Sequence, residues 1–267
     1  MPDPIRLTPS LREKVWGKTR LTPWFPNPAK PIGEAWYLGP AELPILVKLL
    51  FTSAPLSVQV HPADGDDGPH GKTEMWHILE ADPGASVAVG FCEPITRQRL
   101  LESSQTGEIE RLLNWVPVKP GDTLFIPAHT VHAIGAGIVL CEIQQNSDIT
   151  YRLWDYGRAR EMHLAKAVPI CDLGVHPGVV KPTPLASGRQ ELARCKYFVT
   201  ELVQLQPGES FTPTPQACQM WIAITGSGSI GAQPFHPGEV WLLPETGPQP
   251  EIRADDDARF LRTYLPA

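Results

Sequence analysis

The sequence is short of most features that announce a specialised class. It has no run of 18 apolar residues, which excludes a helix that spans a bilayer and with it a membrane partner. Positive charge is not in excess: 23 Lys and Arg against 29 Asp and Glu leave a net charge of -6, which argues against nucleic acid as a partner. The five cysteines, Cys92, Cys141, Cys171, Cys195 and Cys218, are scattered, odd in number and without Cys-x-x-Cys spacing. They fit reduced thiols in a cytoplasmic protein better than a disulfide framework or a thiolate zinc site. Around Pro2 and Pro4 the first residues show scattered charges and no apolar core, so no secretory signal is expected. No Gly-x-Gly-x-x-Gly follows a strand-like run, which removes the usual nicotinamide fingerprint.

Proline and glycine, by contrast, are abundant, 30 and 22 in 267 residues. Such dense punctuation breaks long helices and favours many short strands joined by turns. Runs rich in Val, Ile, Leu and aromatics at 44–51, 56–61, 75–79, 86–91, 123–127, 138–143, 197–205, 220–225 and 240–243 read as those strands. One stretch, 96–115, has helical spacing in Leu100, Leu101, Ile109, Leu112 and Leu113, with Gly107 splitting it and Thr106 capping the second part. Residues 171–187 read as a connection.

The two halves repeat one another. GDTLFIP at 121–127 matches GEVWLLP at 238–244, and Glu74-Met75-Trp76 matches Gln219-Met220-Trp221. Each copy reads as a tight turn feeding a strand that closes a small barrel. The expected architecture is therefore mainly β: two jelly-roll-like barrels, residues 1–170 with a small helical insertion at about 94–115, and residues 171–267 as linker plus second barrel.

The period of two along 56–61 puts Ser57, Gln59 and His61 on one face and Val58 and Val60 on the other. Polar side chains turned into a small barrel need partners, and a metal ion is one. With Glu74 opening the next strand and His132 just beyond 123–127, two imidazoles, a carboxylate and an amide oxygen form a set suited to zinc and tolerant of manganese, cobalt or iron. The second half places Thr212, Thr214, Gln219 and Gln249 at the matching positions, so one metal per chain is expected, in the first barrel alone. Asp64, Asp66 and Asp67 lack EF-hand spacing and read as a solvated loop. His70 and His77 read as solvent-facing, His129 as a loop residue behind the site, and Trp154 and Tyr156 as either sugar-lining or packed.

Four segments together, LSVQVHP at 56–62, GKTEMW at 71–76, 121–132 and QQNSDITYR at 144–152, resemble the type I mannose-6-phosphate isomerases, most closely their short bacterial form. That resemblance implies a double cupin and a zinc-dependent aldose–ketose isomerase, with a sugar phosphate as small-molecule partner in a monomer or homodimer. It carries the family's ligands onto Gln59, His61, Glu74 and His132, its substrate-binding residues onto Ser57, Lys72 and Arg152, and its catalytic element onto Lys72, Asp148 and Arg152. The chemistry suits a reaction through an enediolate, since Arg152 can meet negative charge through a planar fork of donors. Beside a dication Lys72 would have its pKa depressed and serve as phosphate ligand or proton shuttle, and Asp148 would act as base or orient Arg152. The competing expectations are a metal-dependent cupin dioxygenase and a noncatalytic sugar-phosphate-binding cupin.

Overall fold

In the computed structural model, which describes residues 3–186 and 188–266, the first barrel is made of two facing sheets. One has the spatial order Thr8–Lys18, Ile32–Leu38, Ile45–Phe51, Ile138–Gln145, Glu74–Ala81, Thr123–Ile126. The other runs Tyr151–Trp154, Val58–Val60, His132–Ile134, Ser86–Phe91, Leu113–Pro117. The second barrel repeats the plan. Its larger sheet contains Arg189–Arg194, Val199–Leu205, Ala258–Tyr264, Met220–Thr225 and Val240–Leu242 in that order, and its smaller sheet has four short strands.

The larger sheets of the two barrels pack face to face, and this explains the unbroken apolar character of Ile45–Phe51, buried at every position. Ile45, Val47, Leu49 and Phe51 join Met75, Cys141 and Ile143 in a cluster that also holds Phe198, Met220, Ile222 and Leu261 of the second barrel. Leu50 turns the other way, into the first barrel with Trp76, Ile78 and Leu140. A strand buried on both faces loses its alternation of apolar and polar residues, and each such side chain contributes roughly 1.5–3 kcal/mol by leaving water.

The repeat extends to register. Trp76 lies opposite Leu124 in the first barrel and Trp221 opposite Trp241 in the second, the offsets read from the sequence motifs. Across the other neighbour, Trp76 faces Glu142 and Glu142 faces Lys48. In the second barrel Trp221 faces Arg262 and Arg262 faces Glu201. Both barrels therefore hold one buried ion pair between the same two strands, 3.1 Å for Lys48–Glu142 and 3.4 Å for Arg262–Glu201, with the signs exchanged.

Helices occupy the outside. Arg97–Thr106 is capped by Thr96, whose side chain accepts from the Arg99 amide, and ends at Gly107 with φ of 82°. Ile109–Leu112 follows, with Glu108 rather than Thr106 at its N-cap and no side-chain cap; 113–117 is strand, not helix. A third helix, Leu164–Ile170, is not evident from sequence. Leu100, Ile109 and Ala167 pack on Val58 and Val60, the outward face of the strand that carries Gln59. One strand crosses the expected division: Ile5–Arg6 pairs with Trp241 and Leu242 in the second barrel.

Candidate metal centre and cleft

Three strand ends bring the candidate ligands together. Gln59 lies opposite His132 across neighbouring strands, and Glu74 begins the strand that faces them from the other sheet. His61, Glu74 and His132 are buried, and one donor atom from each falls within 4.8 Å of the others. Each imidazole has its Nδ1 hydrogen-bonded to a backbone carbonyl, His61 to Ile149 and His132 to Thr130, both at 2.8 Å. The proton is thereby fixed on Nδ1 and the Nε2 lone pair turns towards the cluster, 3.6 Å from a Glu74 oxygen in each case. Burial pushes the His132 pKa down to about 4 and that of His61 well below its ordinary value, so both rings are neutral.

Glu74 Oε1 is buried with no hydrogen-bond partner. An orphaned carboxylate oxygen 3.6 Å from His132 Nε2, in a cluster that also holds His61, is what a bound cation would satisfy, so this donor set fits a divalent metal. Gln59 places Nε2 3.3 Å from His132 Nε2, while its Oε1 accepts from Ser57 Oγ at 3.1 Å. The amide thus turns its nitrogen to the cluster where the sequence reading expects oxygen. In the second barrel the equivalent strand pair sets Phe211 opposite Ile252, and Gln219 is engaged by Arg262 and Trp221 at 2.7 and 3.1 Å. Gln249 donates to the Pro244 carbonyl.

Lys72 is buried beside the cluster. Its ammonium donates to Glu74 Oε2, lies 3.0 Å from His61 Nε2 and sits 3.5 Å from Glu142. Burial opposes its charge, but Glu142 and Glu74 outweigh burial and raise its pKa above the ordinary lysine value. Of the two buried carboxyls, Glu142 is the more acidic: burial raises it, yet Lys72 and Lys48 bring it to about 2. Lys48 further donates to Gln144 at 2.5 Å and lies over the Trp36 ring.

Lys48, Lys72 and Glu142, with Gln59, floor a cleft of about 260 Å³ also lined by Arg12, Lys14, Ser57, Asp148, Arg152 and Arg160. Arg152 faces Gln59 across a strand pair, and its Nε is buried without a partner. Asp148 lies exposed on the rim, and no ion pair joins it to Arg152 among the described residues. Lys48, Glu142, Arg12 and Lys14 escape the sequence reading, although Lys48 and Glu142 are single charges set in otherwise apolar strands. A larger groove of about 890 Å³ runs between 125–131 and 170–181, away from the metal ligands.

The expectation for His77 is corrected, and others gain detail. His77 is buried and bonded to Thr123 at 2.9 Å. Of the two readings of Trp154, packing holds: its indole donates to Glu110 and its ring packs against Gly107. The aspartates at 64, 66 and 67 lie in an exposed loop and are also paired, with Tyr197, His129 and Lys166 at 2.6, 2.5 and 2.7 Å. His129 stands behind the site, its φ of 75° letting its amide donate to the His61 carbonyl.

No family model matches the chain. Mannose-6-phosphate isomerase ManA of Bacillus subtilis is 34% identical, with 91% of this chain and 93% of that protein covered. The mannose-6-phosphate isomerase of Streptococcus mutans is 32% identical, with 92% and 94% covered. The crystal structure of the mannose 6-phosphate isomerase from Bacillus subtilis superposes with a TM-score of 0.85 at 26% identity, over 99% of this chain and all of that one. That structure shares the double-barrel cupin fold, and the sequence likeness runs nearly end to end in both chains. The chain therefore belongs to the mannose-6-phosphate isomerase family.

Proposed function

We propose that this isomerase interconverts mannose 6-phosphate and fructose 6-phosphate through an enediolate, with one zinc ion held by Gln59, His61, Glu74 and His132. The observation that carries the reading is the orphaned Glu74 oxygen in a buried cluster with two neutral imidazoles, next to a cation-lined cleft that Gln59 and Lys72 line. When bound, the ion supplies positive charge that polarises a sugar oxygen and stabilises negative charge there.

The chain's own groups do the rest. Arg152 offers a guanidinium whose Nε has no partner, suited to negative charge on the sugar or its phosphate. Lys72 holds Glu74 and His61 in place and presents a proton beside them. The array Lys48–Glu142–Lys72 holds fixed charge along the cleft floor, its members 3.1 and 3.5 Å apart. Asp148, on the rim, is the candidate base with open access to substrate, and Ser57 can accept from Gln59 Nε2 once the amide rotates to turn its oxygen to the ion. Arg12, Lys14 and Arg160 add positive charge to the cleft walls. With five free cysteines the chain suits a reducing, cytoplasmic compartment.

Zinc-loaded protein incubated with mannose 6-phosphate in D₂O, followed by NMR, tests this. Fructose 6-phosphate carrying solvent deuterium at the exchanging carbon is expected. Absence of product would refute the activity, and product formed at early times with no deuterium in either direction would refute the solvent-exchanging enediolate route.

A further inference from the structure

We propose that Tyr197, in the barrel without metal ligands, is a positioning residue for the metal centre of the other barrel, acting through Asp64 and Gln145. The inference rests on the metal reading of His61, Glu74 and His132.

The segment Lys72-Thr73-Glu74 follows a loop, 62–71, whose residues 64–70 are exposed and add little to any core. Apolar packing cannot hold such a loop, so polar contacts must. Asp64 is the junction. Its Oδ2 accepts from the Tyr197 hydroxyl at 2.6 Å and from Lys196 at 3.4 Å, both on the turn before Val199–Leu205 in the second barrel. Its Oδ1 accepts from the Gly71 amide and from Gln145 Nε2, each at 2.8 Å. Gln145 is buried, and its Oε1 accepts from the Thr73 amide at 2.9 Å while its own amide donates to the Thr73 carbonyl. Three hydrogen bonds thus run from a hydroxyl of the second barrel to the peptide between Lys72 and Glu74. A carboxylate at the junction makes these contacts stronger than neutral ones.

The loop closes on itself at Gly71, where a Cβ would lie 2.6 Å from the backbone of Ala63 and Asp64, so only glycine permits the Asp64 contact. Asp66 and Asp67 fasten its far side to His129, Tyr151 and Lys166. Tyr197, with the shorter contact, and Lys196 are the members of this network whose loss leaves the first barrel's own side chains intact.

The test uses full-length, zinc-loaded protein and a colorimetric chelator. Tyr197→Phe is expected to release zinc roughly ten-fold faster, with kcat reduced and KM for mannose 6-phosphate unchanged, as for outer partners of metal ligands. Asp64→Asn should act in the same direction, and the double variant should be no worse than Asp64→Asn alone, because both lie on one path. Tyr264→Phe, which removes a hydroxyl bonded to Glu201 inside the second barrel, is the control and should release zinc at the wild-type rate. Wild-type release from Tyr197→Phe, equal acceleration in Tyr264→Phe, or additive effects in the double variant would overturn the inference. Wild-type protein that retains no zinc would overturn the metal reading itself, a failure visible before any variant is made.

Discussion

Replacing Lys48 by Met keeps the length and apolar stem of the side chain and removes its charge. Lys48 and Glu142 are each 4% exposed and 3.1 Å apart. At that distance a pair of unit charges attracts by about 5 kcal/mol in an effective dielectric of about 20. The net loss is smaller, because the ammonium no longer has to be taken out of water. Breaking a buried pair usually costs about 3–5 kcal/mol, most of it from the charge left behind. Glu142 keeps Lys72 at 3.5 Å and the Trp76 indole at 3.2 Å, which places Lys48→Met at the lower end, about 3 kcal/mol. With an unfolding entropy of about 0.56 kcal/mol/K for a chain of this size, Tm should fall by about 5 °C. Calorimetry on metal-free protein measures this. Lys48→Met/Glu142→Gln should recover at least about half of the loss, since the second substitution removes the orphaned charge. A drop under about 1 °C in the single variant, or a double variant that sums the two single losses, would refute the ion-pair account.

Elemental analysis should find one zinc per chain in wild type and none in His132→Ala, while Gln219→Glu gains no site because Arg262 stands against that position. Arg152→Ala should retain zinc but lose about 3–4 kcal/mol of transition-state stabilisation, on the order of 10²–10³ in kcat, if the guanidinium meets charge that grows during reaction. A rise in KM alone would assign it to uniform binding of the phosphate, and wild-type kinetics would put it outside the site. Thermal stability should fall in acid: Tyr197, His129 and Lys166 are the main groups holding Asp64, Asp66 and Asp67 below the ordinary carboxylate range. Depressed folded pKa values stabilise above the unfolded value of about 4, and that stability is lost as pH falls through the folded values. Asp66→Asn should therefore show a shallower decline of Tm below about pH 4 at low salt, and an unchanged profile would contradict it.

The clustering of His61, Glu74 and His132 was legible because coordination needs rare residue types at fixed places on strands of known period. Ser57, Gln59 and His61 do share a face, with Val58 and Val60 under the helices. Lys48 and Glu142 left a signal too, one charge each in ILVKLLF and IVLCEIQQ, that only the facing register makes intelligible. The strands Thr8–Lys18 and Ile32–Leu38, with Arg12, Lys14 and Glu34, are mixed in polarity because each has a face on the cleft or on solvent, so neither periodicity dominates. The aspartate contacts were invisible for a different reason. The Asp64–Tyr197 partners are 133 residues apart, and an exposed loop carries no pattern that names a distant hydroxyl.

The exchanged signs of the two buried ion pairs bear on how a duplicated chain assembles. Two barrels with the same strand plan invite each half to borrow the other's strands during folding. Were Ile45–Phe51 to dock in the second barrel beside Ala258–Tyr264, Lys48 would meet Arg262. Were Val199–Leu205 to dock beside Ile138–Gln145, Glu201 would meet Glu142. Either mistake sets two like charges face to face in a buried place, whereas the native arrangement pairs opposites in both places. The inversion gives each half a private electrostatic key, so that twin barrels sharing one core can still tell their own strands apart.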